Sequence, residues 1–141
     1  MALRTWLVDT GPFVAYINRT DPLHVKVAAC LDGFSGQVLT TGAVVTEVMY
    51  FLADLPGGPA AFAELLLASR ARIAGLNEPA DVLAAAVLMG KYADTPMDFA
   101  DATLILLADA LGVTEILTLD RRGFSTYRTA KGRSFRLVLS R

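Results

Sequence analysis

The sequence predicts an α/β fold in which a parallel sheet is covered by helices on both faces. Short apolar, β-rich runs alternate with helical patterns along the whole chain, and this alternation is typical of parallel sheets. Hydrophobic residues make up 54% of the 141 residues and charged residues only 19%, against roughly 45–50% and 25% in ordinary globular chains. No internal repeat or linker interrupts the pattern, so residues 1–141 are expected to form a single domain.

The first half of the chain predicts two strands and three helices. In order they are a strand at 5–8, a helix from residue 13, a helix from 22 to about 31, a strand at 37–41 and a helix at 43–55. Thr10-Gly11-Pro12 predicts a break after the first strand, because glycine and proline interrupt regular structure. Asp21 and Pro22 predict the start of the second helix, with the aspartate as N-cap and the proline in the first turn.

The second half predicts three more helices and three more strands. In order they are a helix at 60–69, a weak strand at 71–76, a helix from 80 to about 92, a helix from 96 to near 112, and strands at 115–119 and 135–139. Pro96 is expected in the first turn of the long apolar helix, where its missing N–H costs nothing. Asp98 and Asp101 follow at i, i+3 spacing, which places them on one face near the positive end of the helix dipole.

Acidic residues recur where predicted strands end and predicted helices begin. Ligands bind at the carboxyl edge of parallel sheets, and this topology would bring five acids to that edge: Asp9, Glu47, Asp98, Asp101 and Asp120. Taken singly, each aspartate also fits a cap, a turn or an ion pair. Glu47 lies in an apolar helix with few basic residues near it in the sequence, so a shared cation or a long-range ion pair is favoured over an unpaired buried charge.

Carboxylates packed together require positive charge if they are to stay ionised. A cluster that offers only oxygen ligands, without histidine or cysteine, favours Mg²⁺ or Mn²⁺. Such ions promote phosphodiester cleavage, because they polarise the phosphate, activate water and stabilise the leaving oxygen.

Four segments of the chain resemble the acidic blocks of PIN domains, and among them most closely the VapC-type toxins of toxin–antitoxin pairs. The segments are residues 7–13, 46–48, 97–102 and 117–121. The resemblance implies a three-layer α/β/α fold with a mostly parallel five-stranded sheet. It also implies a Mg²⁺- or Mn²⁺-dependent ribonuclease, a cognate antitoxin that occupies the groove, and a homodimer.

The resemblance also assigns roles to individual residues. Asp9, Glu47, Asp101 and Asp120 match the catalytic acids of the family, and Asp98 matches an accessory acid found in many members. Asp9 and Asp101 are expected to hold the metal. Thr10 and Thr118 match polar positions beside it and are expected to orient carboxylates or water. Gly11-Pro12 departs from the Ser or Asn followed by an aliphatic residue that the family often has at this point.

Basic residues are concentrated at the end of the chain. Seven of the thirteen follow Asp120 and no acid does, which favours contact with a polyanion. Arg121, Arg122 and Arg128 are therefore expected to contact the RNA backbone, with tRNA or rRNA as the substrate. The alternative is a solvated edge strand whose arginines prevent aggregation.

Two other functions compete with this prediction. Asp9-Thr10-Gly11 also matches the core motif of aspartic proteases, but these enzymes need two such aspartates on an all-β scaffold, and the helical patterns argue against one. A catalytically inactive PIN-like domain that binds RNA or protein is the second alternative. The presence of all four acids argues against it.

Composition bears on location and partners as well. No apolar run approaches the roughly 20 residues of a membrane helix, no secretory segment is seen at residues 1–6, and the single cysteine, Cys30, excludes an internal disulfide. A cytoplasmic protein is expected. The high apolar content further predicts an exposed surface for the antitoxin or a second subunit, on the second and third helices and around residues 51–62.

Overall fold

The computed structural model describes residues 3–139. Its elements, in order, are β1 (Thr5–Val8), α1 (Thr10–Ile17), α2 (His24–Asp32), β2 (Gln37–Thr41), α3 (Gly42–Leu52), α4 (Gly58–Ala68), β3 (Arg72–Ala74), α5 (Pro79–Lys91), α6 (Phe99–Leu111), β4 (Glu115–Leu117), α7 (Arg121–Thr126) and β5 (Arg136–Leu137). Strands and helices alternate as the sequence predicts. Within the described residues, no helix has both the length and the apolar character needed to span a membrane.

The five strands form one sheet in the order β3-β2-β1-β4-β5, and every neighbouring pair is parallel. The prediction of a five-stranded parallel sheet in an α/β sandwich is therefore confirmed. Connections between parallel strands are almost always right-handed. Successive strands are added on one side of β1 up to β3 and on its other side from β4 onward. The helices α1 to α4 therefore cover one face of the sheet, and α5 to α7 cover the other. The reversal leaves a crevice at the carboxyl ends of β1 and β4, where ligands bind in open α/β sheets.

The core lies between this sheet and its helices, and α6 is the most deeply buried helix. Eight of its residues are buried, which explains why its sequence is apolar almost all round rather than on one stripe. The central strands are equally enclosed, since Leu7, Val8, Ile116 and Leu117 have no exposed surface. The site-forming ends of β1, β4 and α6 are thus held by a rigid core.

The first strand ends before Thr10-Gly11-Pro12 as predicted, but the helix start predicted at residue 13 is wrong, because these three residues form the first turn of α1. Asp9 is the N-cap, and its side chain accepts a hydrogen bond from Thr10 N at 2.8 Å. Proline is compatible with this position since the first N–H groups of a helix have no intrahelical partner. The helix therefore starts directly at the end of β1.

The predicted starts of α2 and α6 at prolines are also wrong. α2 begins at His24, and Asp21 instead closes a turn by accepting from Leu23 N at 2.8 Å. α6 begins at Phe99 with Asp98 as its N-cap. In both cases the helix starts two or three residues after the proline.

Other element bounds differ more modestly from the prediction. α3 and α4 run from Gly42 to Leu52 and from Gly58 to Ala68, and β3, β4 and β5 are shorter than expected. The sequence does not predict one helix, α7, because Asp120 and the residues after it also fit a turn or an ion pair. Asp120 caps this short helix by accepting from Gly123 N at 2.9 Å.

Candidate active site

All five predicted acids line one cavity of about 490 Å³ at the carboxyl ends of β1 and β4. Its lining residues are Asp9, Thr10, Gly11, Val14, Asp21, Glu47, Phe51, Asp98, Asp101, Leu119 and Asp120. The first turns of α1, α6 and α7 surround it, and the middle of α3 closes one side. The cavity contains no arginine, lysine or histidine among these residues. The site is therefore strongly acidic.

Asp9 is the most enclosed of the acids, with 6% of its surface exposed. Its Oδ1 accepts from Thr10 N at 2.8 Å, and its Oδ2 accepts from the Thr118 hydroxyl, also at 2.8 Å. Burial raises the pKa of Asp9 to about 6, although these two hydrogen bonds favour the charged form. The carboxylate is held in one orientation and is costly to ionise without a cation.

Asp98 and Asp101 cap the start of α6 reciprocally. Asp101 N donates to Asp98 Oδ1 at 2.7 Å, and Asp98 N donates to Asp101 Oδ2 at 3.2 Å. Asp98 is exposed, whereas Asp101 is buried, with only 9% of its surface exposed. Burial, together with the charges of Asp9 and Asp98, raises the pKa of Asp101 to about 8. The two aspartates share a helical turn but differ in environment.

Glu47 is half-buried rather than enclosed in the core. Val44 and Val48 on the same helix are fully buried, while Glu47 lines the cavity. Burial raises the pKa of Glu47, Asp98 raises it further, and the nearby Thr10 hydroxyl lowers it. That hydroxyl lies close to Glu47 without reaching hydrogen-bond geometry, so Thr10 Oγ1 is buried with no partner among residues 3–139.

Thr118 links the first and last acids of the site. Its Oγ1 donates to Asp9 Oδ2 and accepts from Asp120 N at 3.0 Å. Asp120 in turn accepts from Gly123 N, and a Cβ at Gly123 would collide with Asp120 Oδ2. Glycine at this position allows the Asp120 carboxylate to cap α7.

Sequence reasoning did not identify Tyr127 as part of this arrangement. Its hydroxyl donates to Pro96 O at 2.7 Å, which ties the end of α7 to the loop before α6. Burial and the charges of Asp101 and Asp120 raise the pKa of Tyr127. No local pattern marks such a residue, because its partner lies 31 positions away. Asp21 also lines the cavity, whereas its position before Pro22 predicts only a helix cap.

The three arginines expected to contact RNA lie on or beside α7, and none lines the cavity. Arg121 donates to Leu139 O at 3.0 Å. The Arg128 guanidinium donates to the carbonyls of Ser125, Thr126 and Tyr127, so it caps the end of α7. Arg122 is exposed, and its guanidinium makes no hydrogen bond or ion pair within residues 3–139, although its backbone carbonyl accepts from the Thr126 hydroxyl. Arg122 has the guanidinium most available to a ligand.

The donor set of the cavity fits a hard divalent cation. Its oxygen ligands match the preference of Mg²⁺ and Mn²⁺, and a cation would offset the charges that raise the pKa values of Asp9 and Asp101. Within residues 3–139, no three carboxylate, imidazole or thiol groups are grouped closely enough to act together as ligands. Mg²⁺ usually keeps several waters and binds one or two carboxylates. A water of hydration would also supply a partner for Thr10 Oγ1.

Comparison with known proteins gives consistent matches. The PIN domain family model matches residues 6–130. Ribonuclease VapC26 of Mycobacterium tuberculosis is 34% identical over 133 residues, which cover 94% of this chain and 98% of that protein.

The crystal structure of VapC20 from Mycobacterium tuberculosis, a toxin that cleaves the sarcin–ricin loop, superposes with a TM-score of 0.72. The match has 20% sequence identity and covers 82% of this chain and 89% of that one. At this identity the likeness concerns the fold, and it agrees with the α/β sandwich described above. The resemblance noted in the sequence is confirmed: this chain belongs to the PIN domain family.

Proposed function

We propose that this protein is a divalent-metal-dependent endoribonuclease and the toxin of a type II, VapBC-like toxin–antitoxin pair. The observation that carries the proposal is the convergence of Asp9, Glu47, Asp101 and Asp120 in one cavity without a basic residue. The family membership and the likeness to a VapC ribonuclease over nearly the whole chain support it. Residues 1–141 would act as a single nuclease domain.

Asp9 and Asp101 would hold Mg²⁺ or Mn²⁺. When bound, the ion supplies positive charge that polarises the phosphate and stabilises the leaving oxygen. Two hydrogen bonds fix the orientation of Asp9, and the capping pair fixes that of Asp101. This rigidity is what positioning of a small cation requires.

Glu47 and Asp120 would complete the acidic pocket and orient the attacking water. Asp120 uses Oδ1 for the helix cap, which leaves Oδ2 to accept a proton or a hydrogen bond from water. Water would attack phosphorus in line, and the products would carry a 5′-phosphate and a 3′-hydroxyl. Thr10 and Thr118 would orient the water and the carboxylates, with Asp98 as an accessory acid.

RNA would be held outside the acidic cavity by Arg121, Arg122 and Arg128. Arg122 would contribute most, because the other two guanidiniums already bind backbone carbonyls. The substrate would be tRNA or rRNA, and the protein would act in the cytoplasm as a homodimer restrained by its antitoxin. Exposed apolar residues on α3 and α5 could serve these protein contacts, whereas Phe62, which the sequence placed in this surface, is fully buried.

The test is metal-dependent cleavage of tRNA and rRNA by the purified protein. Loss of a residue that hydrogen-bonds to a metal ligand typically costs roughly 10–100-fold in activity. Asp9→Asn and Asp101→Asn change the proposed ligands themselves, so each should reduce the cleavage rate by more than this. EDTA should abolish cleavage, and Mg²⁺ or Mn²⁺ should restore it.

The matched control is Asp54→Asn, which removes an exposed carboxylate outside the cavity. It should cleave at the wild-type rate. Cleavage that survives both site substitutions would identify a contaminating nuclease. RNA left equally intact by all four proteins, in the presence of either metal, would contradict the enzymatic function and favour an inactive PIN-like binding domain.

A further inference from the structure

Two walls of the acidic cavity, the starts of α6 and α7, are joined by one buried side chain. Tyr127 follows α7 directly as its C-cap and has no exposed surface. Its hydroxyl donates to Pro96 O at 2.7 Å and lies 3.4 Å from Thr95 O. Pro96 stands two residues before Asp98, the N-cap of α6. The hydroxyl therefore holds the segment that leads into the capping pair.

The ring and backbone of Tyr127 contact the other wall. A Cβ built at Gly123 would lie 3.0 Å from Tyr127 Cε2, so the ring packs directly on that glycine. Tyr127 N also donates to Gly123 O at 2.9 Å. Gly123 N is the group that donates to Asp120 Oδ1. The same tyrosine thus contacts the turn that Asp120 caps.

Neither wall is rigid by itself. The helix α7 has six residues, and helices this short depend on tertiary contacts for their stability. The segment at 93–98 contains no helix or strand, and its proline has no N–H to donate to a neighbour. Within residues 3–139, the hydrogen bonds that join this segment to α7 or its C-cap all come from the Tyr127 hydroxyl.

Tyr127 is itself held in one position. Its ring meets those of Tyr92 and Phe124 edge to face, with both pairs of centroids 5.1 Å apart. Burial and the charges of Asp101 and Asp120 raise the pKa of Tyr127, so its hydroxyl stays a donor. Tyr127 does not line the acidic cavity. Any effect it has on chemistry there must pass through the residues that it holds.

We propose that Tyr127 is a positioning residue that fixes the start of α6 relative to the start of α7. Asp98 and Asp101 lie at the first of these helix starts, and Asp120 lies at the second. Acids packed together repel one another, so a metal-free site tends to open unless its walls are tied. The inference rests on the proposed function, and it specifies what keeps the acids in place for the cation.

Tyr127→Phe tests the inference, because it removes the hydroxyl and keeps the ring. The matched control is Tyr92→Phe, which removes another hydroxyl from the same aromatic cluster. The Tyr92 hydroxyl accepts from Arg128 N at 3.0 Å and does not contact Pro96. Three quantities are measured: Mn²⁺ affinity by titration calorimetry, amide hydrogen exchange by NMR in the metal-free protein, and the kcat and KM of RNA cleavage.

Tyr127→Phe should weaken Mn²⁺ binding by about tenfold, the lower end of the range for residues that hydrogen-bond to a metal ligand. The stoichiometry should not change, whereas a merely destabilised protein would bind less metal at the same affinity. The kcat should fall with KM unchanged, since Tyr127 lies outside the cavity.

Hydrogen exchange should locate the effect of Tyr127→Phe at the start of α6. The amides of Asp98 and Asp101 donate within the capping pair, and they should exchange faster because local opening becomes easier. The amide of Gly112, which donates to Ala108 O at the other end of the same helix, should exchange as in the wild type. Tyr92→Phe should match the wild type in all three measurements.

Unchanged Mn²⁺ affinity in Tyr127→Phe, or unchanged exchange at Asp98 and Asp101, would overturn the inference. Equal losses in Tyr92→Phe would also overturn it, because they would assign the effect to general anchoring of α7. Affinity and exchange are read without RNA. A wild-type protein that binds Mn²⁺ but leaves RNA intact would therefore contradict the proposed function and not the positioning role.

Discussion

Thr118 is the residue that joins two acids of the site through one hydroxyl group. It donates to Asp9 and accepts from the backbone of Asp120, and only 2% of its surface is exposed. Water has little access to replace either bond. The hydroxyl therefore sets both the orientation of Asp9 and the position at which α7 begins.

Thr118→Val should reduce Mn²⁺ affinity and the cleavage rate by roughly 10–100-fold, as expected for an outer partner of a metal ligand. Valine has nearly the same shape, so the loss should come from the missing hydroxyl. Titration calorimetry measures the affinity and initial rates measure cleavage.

Thr118→Ser, which restores the hydroxyl, should recover most of both quantities. Thr114→Val is the matched control, because Thr114 precedes β4 at the opposite edge of the sheet and its hydroxyl accepts a hydrogen bond from Arg133 at 3.4 Å, away from the site. An unchanged Mn²⁺ affinity in Thr118→Val would show that Asp9 does not depend on this hydrogen bond.

Three helices at the site start in the same way, each with a site acid as its N-cap. Asp9 caps α1, Asp98 caps α6 and Asp120 caps α7. The positive ends of the three helix dipoles therefore point toward the cavity. These dipoles offset part of the repulsion among the carboxylates. No arginine, lysine or histidine lines the cavity to relieve that repulsion.

Replacement of Asp98 separates its capping role from any role in chemistry. Asp98→Ala should lower the free energy of unfolding by about 1 kcal/mol, the usual cost of losing an N-cap side chain. It should also slow cleavage, because Asp101 loses its reciprocal partner. Urea denaturation and initial cleavage rates measure the two effects.

Asp98→Ser keeps a capping oxygen without the carboxylate. It should recover stability and most of the cleavage rate, as expected if Asp98 acts chiefly through the cap. Recovered stability with cleavage still at the level of Asp98→Ala would instead assign the charge of Asp98 a direct part in the reaction.

At the scale of the molecule, the site is a place where folding opposes ionisation. The ordinary pKa of 3.8 rises to about 6 in Asp9 and about 8 in Asp101, mainly because the fold buries them. The folded protein then holds protons that the unfolded chain has released. Without a cation, these two acids destabilise the folded state as pH rises.

The metal-free protein should therefore lose thermal stability between about pH 4 and about pH 8, the interval between the unfolded and folded pKa values of Asp101. The loss should be complete above that interval. Mg²⁺ should raise the melting temperature most at high pH, because it binds the ionised form. Differential scanning fluorimetry with and without Mg²⁺ measures both effects.

Asp101→Asn removes the titrating group and serves as the control. Its melting temperature should fall less steeply with pH than that of the wild type and should respond less to Mg²⁺. Parallel pH profiles of the two proteins would contradict the assignment of the raised pKa to Asp101.

Much of this architecture could be predicted from local signals. The alternation of apolar strands and helices predicted the parallel sheet, and the positions of Asp9, Glu47 and Asp120 predicted that acids would meet at its carboxyl edge. Helix starts were less predictable, because proline is compatible both with the first turn and with the loop before it. Pro12 lies within α1, whereas Pro22 and Pro96 precede their helices.

The sequence by itself determined the fold class and the acids that converge, since periodicity and strand ends are encoded by neighbouring residues. Only the tertiary structure decided that Asp101 is buried while Asp98 is exposed. It alone decided that Thr118 binds Asp9 from 109 positions away and that Tyr127 binds Pro96 from 31 positions away. Burial and contacts across the sheet depend on strand order and helix packing, and no local pattern specifies either.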